Sequence, residues 1–209
     1  MDTAKTTKMP DSSGAIGYAL HRLRTELPTH LFYHNVQHTE EDVMPALARL
    51  AAMSNVAEAD LRLLEVAAAF HDIGQIETSL GHEQIGIELV SEVLPRYGFS
   101  PGDIERITGM ILATRLPQSP QNEEQALLAD ADLDSLGRED FMATSKALWQ
   151  ERAASGMNIL WHDWLESQLR FLQSHHYFTP AAQTLRQQGK LKNIEILERL
   201  IRGEQIPGL

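Results

Sequence analysis

The sequence predicts an all-α protein, a single-domain bundle of about nine helices. Apolar residues recur at three- and four-residue spacing along almost the whole chain, and sustained strand-type alternation is absent. Glycines, prolines and capping residues fall between the periodic stretches, where helix ends need them.

The first expected helix covers 15–27. The second, 38–53, carries Val43, Leu47 and Leu50 on one face, and the third, 58–70, carries Leu61, Leu64 and Ala68. Ser54 or Asp60 is the expected cap of the third. Further helices are expected over 82–97, 103–115, 123–133, 138–155, 159–175 and 180–201, with Leu165, Leu169 and Leu172 in register in the eighth. Gly74, Gly81 and Gly98 mark breaks, and Ser100-Pro101-Gly102-Asp103 supplies a turn and a cap. The two prolines of 116–122 place a loop there, because a proline inside a helix costs about 3 kcal/mol. Residues 1–14 are polar and read as a flexible N-terminal segment, 15–203 as one domain, and 204–209 as a C-terminal tail.

The 209 residues, 43% hydrophobic and 22% charged, suffice to bury a core without staples. A net charge of −11 with no Lys/Arg cluster disfavours nucleic acid as a partner. With no cysteine, a metal would have to be held by nitrogen and oxygen. Neither a signal-type segment nor a membrane-length apolar run occurs, so the expectation is a cytoplasmic protein without a membrane partner.

Five features carry chemistry, in the order Tyr33-His34-Asn35-Val36-Gln37-His38, Phe70-His71-Asp72-Ile73-Gly74, Gly81-His82-Glu83, Ile111-Leu112-Ala113-Thr114 and Ala129-Asp130-Ala131-Asp132-Leu133-Asp134. His71-Asp72 closes an apolar helix, where burying a charged side chain is costly unless it has a partner. Adjacent residues on a regular helix point about 100° apart, so both can meet one ion only where the helix ends, and Gly74 provides that end. His34 and His38 would share a face if their segment is helical. Any one of these features has an ordinary structural explanation; their joint occurrence gives two imidazoles and two carboxylates, a set suited to a divalent ion.

Taken together, these motifs resemble the HD superfamily of metal-dependent phosphohydrolases, whose pattern is an early His, a His-Asp pair and a distant Asp. The Tyr-His-Asn-x-x-His and Ile-Leu-Ala-Thr segments are similar to those of class I cyclic nucleotide phosphodiesterases. The stretch from Asp130 to Gly137 and the late His176-Tyr177-Phe178-Thr179 resemble a group of small bacterial HD proteins. Residues 16–200 carry the likeness.

The resemblance implies a helical bundle of the HD/PDEase type and one divalent ion (Mn, Co, Ni, Fe, Zn or Mg) held by His38, His71, Asp72 and Asp132. It favours Asp132 because the family ligand sits in an Ala-Asp-x-Leu context, which Ala131-Asp132-Leu133 partly reproduces, with Asp130 as the rival; on a helix the two point about 200° apart and cannot both face one ion. His34 matches a histidine that protonates a leaving oxygen, and His82 one that approaches the phosphate or a second metal, so His34, His82 and Asp72 are the expected catalytic set. Arg115, Arg138 and His175 are candidates for substrate binding, the arginines because guanidinium matches phosphate oxygens. Trp149, Trp161 and Trp164 read as packing residues.

The implied activity is hydrolysis of a phosphate mono- or diester of a small molecule, in the first instance a nucleotide, by metal-activated water. A homo-oligomer is compatible with the sequence. The competing readings are an iron-dependent oxygenase on the same scaffold and a non-catalytic nucleotide-sensing module. Two further histidines, which bimetallic relatives need, are missing between His82 and Asp132.

Overall fold

The structure, a computed structural model, describes residues 9–206, and within them nine α-helices follow one another without a strand. The N-terminal segment expected to be flexible falls mainly on residues 1–8, and the end of the expected tail on 207–209; both lie outside the described residues. Helix α1 (Ser12–Glu26) starts earlier than the periodicity predicted, because the Asp11 side chain caps it by accepting from the Gly14 N–H at 2.8 Å.

The helix expected over 38–53 is two elements, a π-helical turn (His38–Val43) and α2 (Met44–Met53). Pro45 accounts for the division, since it has no N–H to give to a preceding carbonyl. The Met44 N–H instead reaches back to the Thr39 carbonyl in π register. Helix α3 (Glu58–Phe70) begins after Ala57 with no side-chain cap, so neither Ser54 nor Asp60 serves; Glu58 and Asp60 favour its N-terminus through the helix dipole.

A 3-10 turn (Ile73–Ile76) leads to α4 (His82–Val93), entered through Gly81 at φ 72°, and a second 3-10 turn (Leu94–Tyr97) extends it. Helix α5 (Pro101–Thr114) opens on a full capping box between Ser100 and Asp103, with Pro101 in its first turn. After the proline-bearing loop, Asn122 caps α6 (Glu123–Asp132), and a 3-10 turn (Asp134–Gly137) follows. Helices α7 (Phe141–Ala154), α8 (Trp161–Ser174) and α9 (Pro180–Ile201) complete the chain.

Helix α3 packs on α1, α2, α5 and α6, and every residue from Val66 to Phe70 is buried. The central core gathers Leu47, Leu64, Phe70, Ile107, Met110 and Ile111 around it, each fully buried side chain contributing about 1.5–3 kcal/mol. A smaller core of Leu136, Phe141, Leu165, Leu172 and Leu197 ties α7, α8 and α9 to the turn after α6. There Gly189 of α9 lies so close to Gly137 that a Cβ would stand 2.0 Å from the Gly137 carbonyl oxygen. Helix α9 therefore rests directly on the backbone that leads away from Asp132.

Candidate active site

The His71-Asp72 pair sits where α3 stops being regular. Asp72 has left helical geometry (φ −102°, ψ 4°), which lets it turn toward the same point as His71. His71 Nδ1 lies 2.7 Å from the Ala68 carbonyl oxygen and donates to it, so Nε2 faces inward. That Nε2 and the Asp72 Oδ2 are both buried and lack a hydrogen-bond partner within the protein. They lie 3.3 Å apart.

His38, the first residue of the π turn, reaches the same point from α2's side. Its Nε2 is 3.3 Å from Asp132 Oδ1 and 3.8 Å from Asp72 Oδ2, while Asp132 Oδ1 is 3.4 Å from His71 Nε2. Donor atoms of His38, His71 and Asp132 all fall within 4.8 Å of one another, the spacing at which a single ion can bridge them. Two buried donor atoms without partners among two imidazoles and two carboxylates fit a divalent cation.

The charge balance is consistent with that. Burial opposes ionisation of Asp132, yet the imidazoles of His38 and His71 pull its carboxyl down to about 2. Burial likewise opposes the Asp72 carboxylate, and His71 and His82 hold it well below the usual range. His71 is the counterpart: burial disfavours its imidazolium, but Asp72 and Asp132 keep its pKa well above the ordinary value.

Asp130 faces the other way. It is fully buried and accepts from the Phe178 N–H at 2.9 Å, the Thr179 N–H at 2.8 Å and the Thr179 hydroxyl at 2.7 Å. Burial pushes its carboxyl up, and these donors act in the opposite sense. Of the two rival aspartates, only Asp132 meets the imidazoles, as the helical angle between them requires.

His34 precedes the helical turn rather than sharing a helix face with His38, although the two ring centroids still lie 6.1 Å apart. Glu151 of α7 fixes it. One carboxylate oxygen is 2.5 Å from His34 Nδ1, and the other accepts the Tyr33 and His34 N–H groups, each at 2.9 Å. Burial opposes the Glu151 carboxylate, but His34 and the two N–H groups hold its pKa below the usual value. Glu151 was missed in the sequence, where a glutamate inside α7, a helix with no pronounced apolar face, carries no sign of burial.

His82 opens α4 with Nε2 3.1 Å from Asp72 Oδ1 and Nδ1 3.2 Å from the Ser79 carbonyl oxygen. Burial lowers its pKa, but Asp72 and Glu83 outweigh that and raise it. Gly74 makes the approach feasible, because a Cβ there would stand 2.0 Å from the His82 carbonyl oxygen.

Of these groups, His34, Asp72, His82, Asp132 and Glu151 line a cleft of about 770 Å³. Arg115 lines it too. Arg138 does not: its guanidinium is tied to Asp42 and Asp140, the latter at 2.8 Å, and these carboxylates hold it as a structural ion pair. His175 also lies outside, in a neighbouring cavity of about 120 Å³, with its backbone carbonyl accepting from Lys190 at 2.5 Å. Trp164 lines the main cleft while donating to Ser145 at 3.0 Å, and Trp149 and Trp161 pack edge to face. Arg152, not singled out in the sequence, lines the cleft as well.

Residues 37–135 match the family model of the HD domain. No curated protein matches the chain. Among solved structures, a predicted HD superfamily hydrolase from an uncultured Thermotogales bacterium is 19% identical, with 97% of this chain and 99% of that chain covered and a TM-score of 0.61. Bacillus subtilis YpgQ in complex with ADP is 18% identical, with 93% and 98% covered and a TM-score of 0.61. Among the described residues no helix is long and apolar enough to cross a membrane. Residues 37–135 are therefore similar to the HD domain, and the chain shares its helical fold with both solved structures.

Proposed function

We propose that the protein is a metal-dependent phosphohydrolase acting on a phosphate ester of a small molecule, a nucleotide in the first instance. One observation carries the reading: the buried, unpartnered His71 Nε2 and Asp72 Oδ2 beside His38 and Asp132 at the end of a large cleft. His38, His71, Asp72 and Asp132 would hold the ion. When bound, a divalent ion supplies Lewis acidity toward a phosphoryl oxygen and makes water a competent nucleophile near neutral pH.

The remaining roles fall to this chain's own side chains. Glu151 accepts the Nδ1–H of His34, which leaves His34 Nε2 to carry the proton given to the departing oxygen. His82, hydrogen-bonded to Asp72, orients that carboxylate and presents a charged edge to the phosphate. Arg115 offers a bidentate donor to the substrate. The complex of YpgQ with ADP supports a nucleotide as the substrate class.

Asp72→Ala tests the reading. The expected result is loss of bound metal by elemental analysis and loss of turnover across nucleoside mono-, di- and triphosphates and cyclic nucleotides assayed with Mn, Co, Mg or Ni. Unchanged metal content and unchanged turnover in that variant would overturn it.

A further inference from the structure

Among the described residues every arginine except two is paired with a carboxylate. Arg22, Arg24, Arg49, Arg62, Arg96, Arg106, Arg138, Arg170, Arg186, Arg199 and Arg202 all make such pairs among the described residues. Arg115 and Arg152 have neither an ion pair nor a side-chain hydrogen bond there, and both line the cleft that holds the metal-type cluster. In a chain of net charge −11, with acidic side chains abundant, two guanidinium groups left unpaired in one cavity are set apart from the rest.

Their placement is specific. Phe141, Ser145, Leu148 and Arg152 follow helical spacing on the face of α7 that lines the cleft, the face that also carries Glu151 to His34. Arg115 comes from a different element, at the residue where α5 ends. Trp164, Gln168 and Phe171 of α8 extend the wall. Residues 37–135 thus bring the metal-type cluster, while α7 and α8 bring a separate surface with one cationic group and an apolar flank.

We propose that Arg115 and Arg152 form a two-sided grip on a second anionic group of the substrate, beyond the phosphoryl group at the metal. The substrate class is a small organic phosphate with at least two anionic groups, and the second is a further phosphate or a carboxylate, either of which a guanidinium fork accepts in bidentate fashion. The inference rests on the phosphohydrolase reading for the location of the first phosphoryl group. Its own content is the second contact, which binding reads without turnover.

The test is calorimetric binding of orthophosphate, inorganic pyrophosphate and 2-phosphoglycolate to the full-length, Mn-loaded protein and to Arg115→Gln, Arg152→Gln and the double variant. Wild type is expected to bind pyrophosphate at least tenfold more tightly than orthophosphate. Each single substitution should weaken pyrophosphate about tenfold with orthophosphate within twofold, and the double variant should lose the preference. A gain for 2-phosphoglycolate equal to that for pyrophosphate assigns the grip to any second anion; a gain for pyrophosphate alone assigns it to a phosphate chain.

Both arginines also stand near helix C-termini, where positive charge is favourable without any ligand. That role alone would lower the melting temperature of the variants and leave pyrophosphate binding unchanged, which overturns the proposal. So does a wild type that binds the three anions equally or not at all. If metal content and turnover with Asp72→Ala persist while the arginine variants lose pyrophosphate, the metal-dependent reading fails and the anion grip stands.

Discussion

His71 shows how a single hydrogen bond prepares a ligand: by giving Nδ1–H to Ala68, the ring commits Nε2 to the cluster. Burial disfavours the His71 imidazolium, but in the metal-free protein Asp72 and Asp132 outweigh it, favour a proton on Nε2 and raise the pKa of His71 well above 6.5. The resulting stabilisation is complete below the unfolded value and is lost as pH rises through the raised folded value. A metal ion competes with this proton, whereas Asp72 and Asp132, with depressed values, are already ionised. Metal affinity should therefore rise with pH, with roughly one proton released per ion, as calorimetry in buffers of different ionisation enthalpy would measure.

Glu151 makes a second prediction at this scale. Glu151→Gln retains an oxygen for the Tyr33 and His34 N–H groups but turns a donor toward His34 Nδ1. The catalytic constant is expected to fall by about a hundredfold with KM nearly unchanged, as steady-state kinetics would read. A fall in substrate affinity without a fall in turnover would place Glu151 in binding instead.

Among the elements, the junction of α8 and α9 carries a pH dependence of its own. Burial, then Lys190 and His176, hold His175 down at about 4. Because the folded value lies below the unfolded one, its contribution is present above pH 6.5 and disappears as pH falls toward 4. Urea unfolding of His175→Gln should lose less stability across that window than wild type does.

At this level much of the molecule was legible in the sequence. The expected helices correspond to all nine α-helices of the described residues, the apolar period being clearest in α2 and α8 and weak in α6, α7 and α9, where turn and capping residues marked the ends. The π turn at His38 escaped it, because the period does not distinguish π from α over six residues and the sign was the missing N–H of Pro45. His38, His71, Asp72 and Asp132 were picked out by the resemblance to the HD pattern; from the residues alone, only His71-Asp72 at the end of an apolar helix stood out. Arg138, by contrast, was drawn to the phosphate by residue type alone; its partner Asp42 lies far away in the chain, and only the fold brings it near. Glu151 and Arg152 went unseen because α7 has no pronounced apolar face to show which side of it meets the cleft.

For the whole molecule, an ion held by residues from the π turn, α3 and α6 would bind the folded chain alone, since those residues have no shared geometry when unfolded. At a free metal concentration one hundred times the dissociation constant this adds about 2.7 kcal/mol. For a domain of this size the melting temperature should then drop by roughly 5–10 °C on chelation with EDTA, which differential scanning calorimetry would record. No drop would mean that the cluster holds no ion under those conditions.

The close approach of Gly189 to Gly137 reaches beyond packing. The family model ends at residue 135, but the carboxylates on either side of Asp132 are held from beyond that boundary, Asp130 by Phe178 and Thr179, Asp134 by Arg186. A fragment cut at that boundary would strand the buried carboxylate of Asp130 and leave that of Asp134 with Arg49 alone. Evolution of α9 is accordingly coupled to a site it never touches: a side chain at position 189 would lever the helix away and loosen the aspartate several residues upstream of its contact.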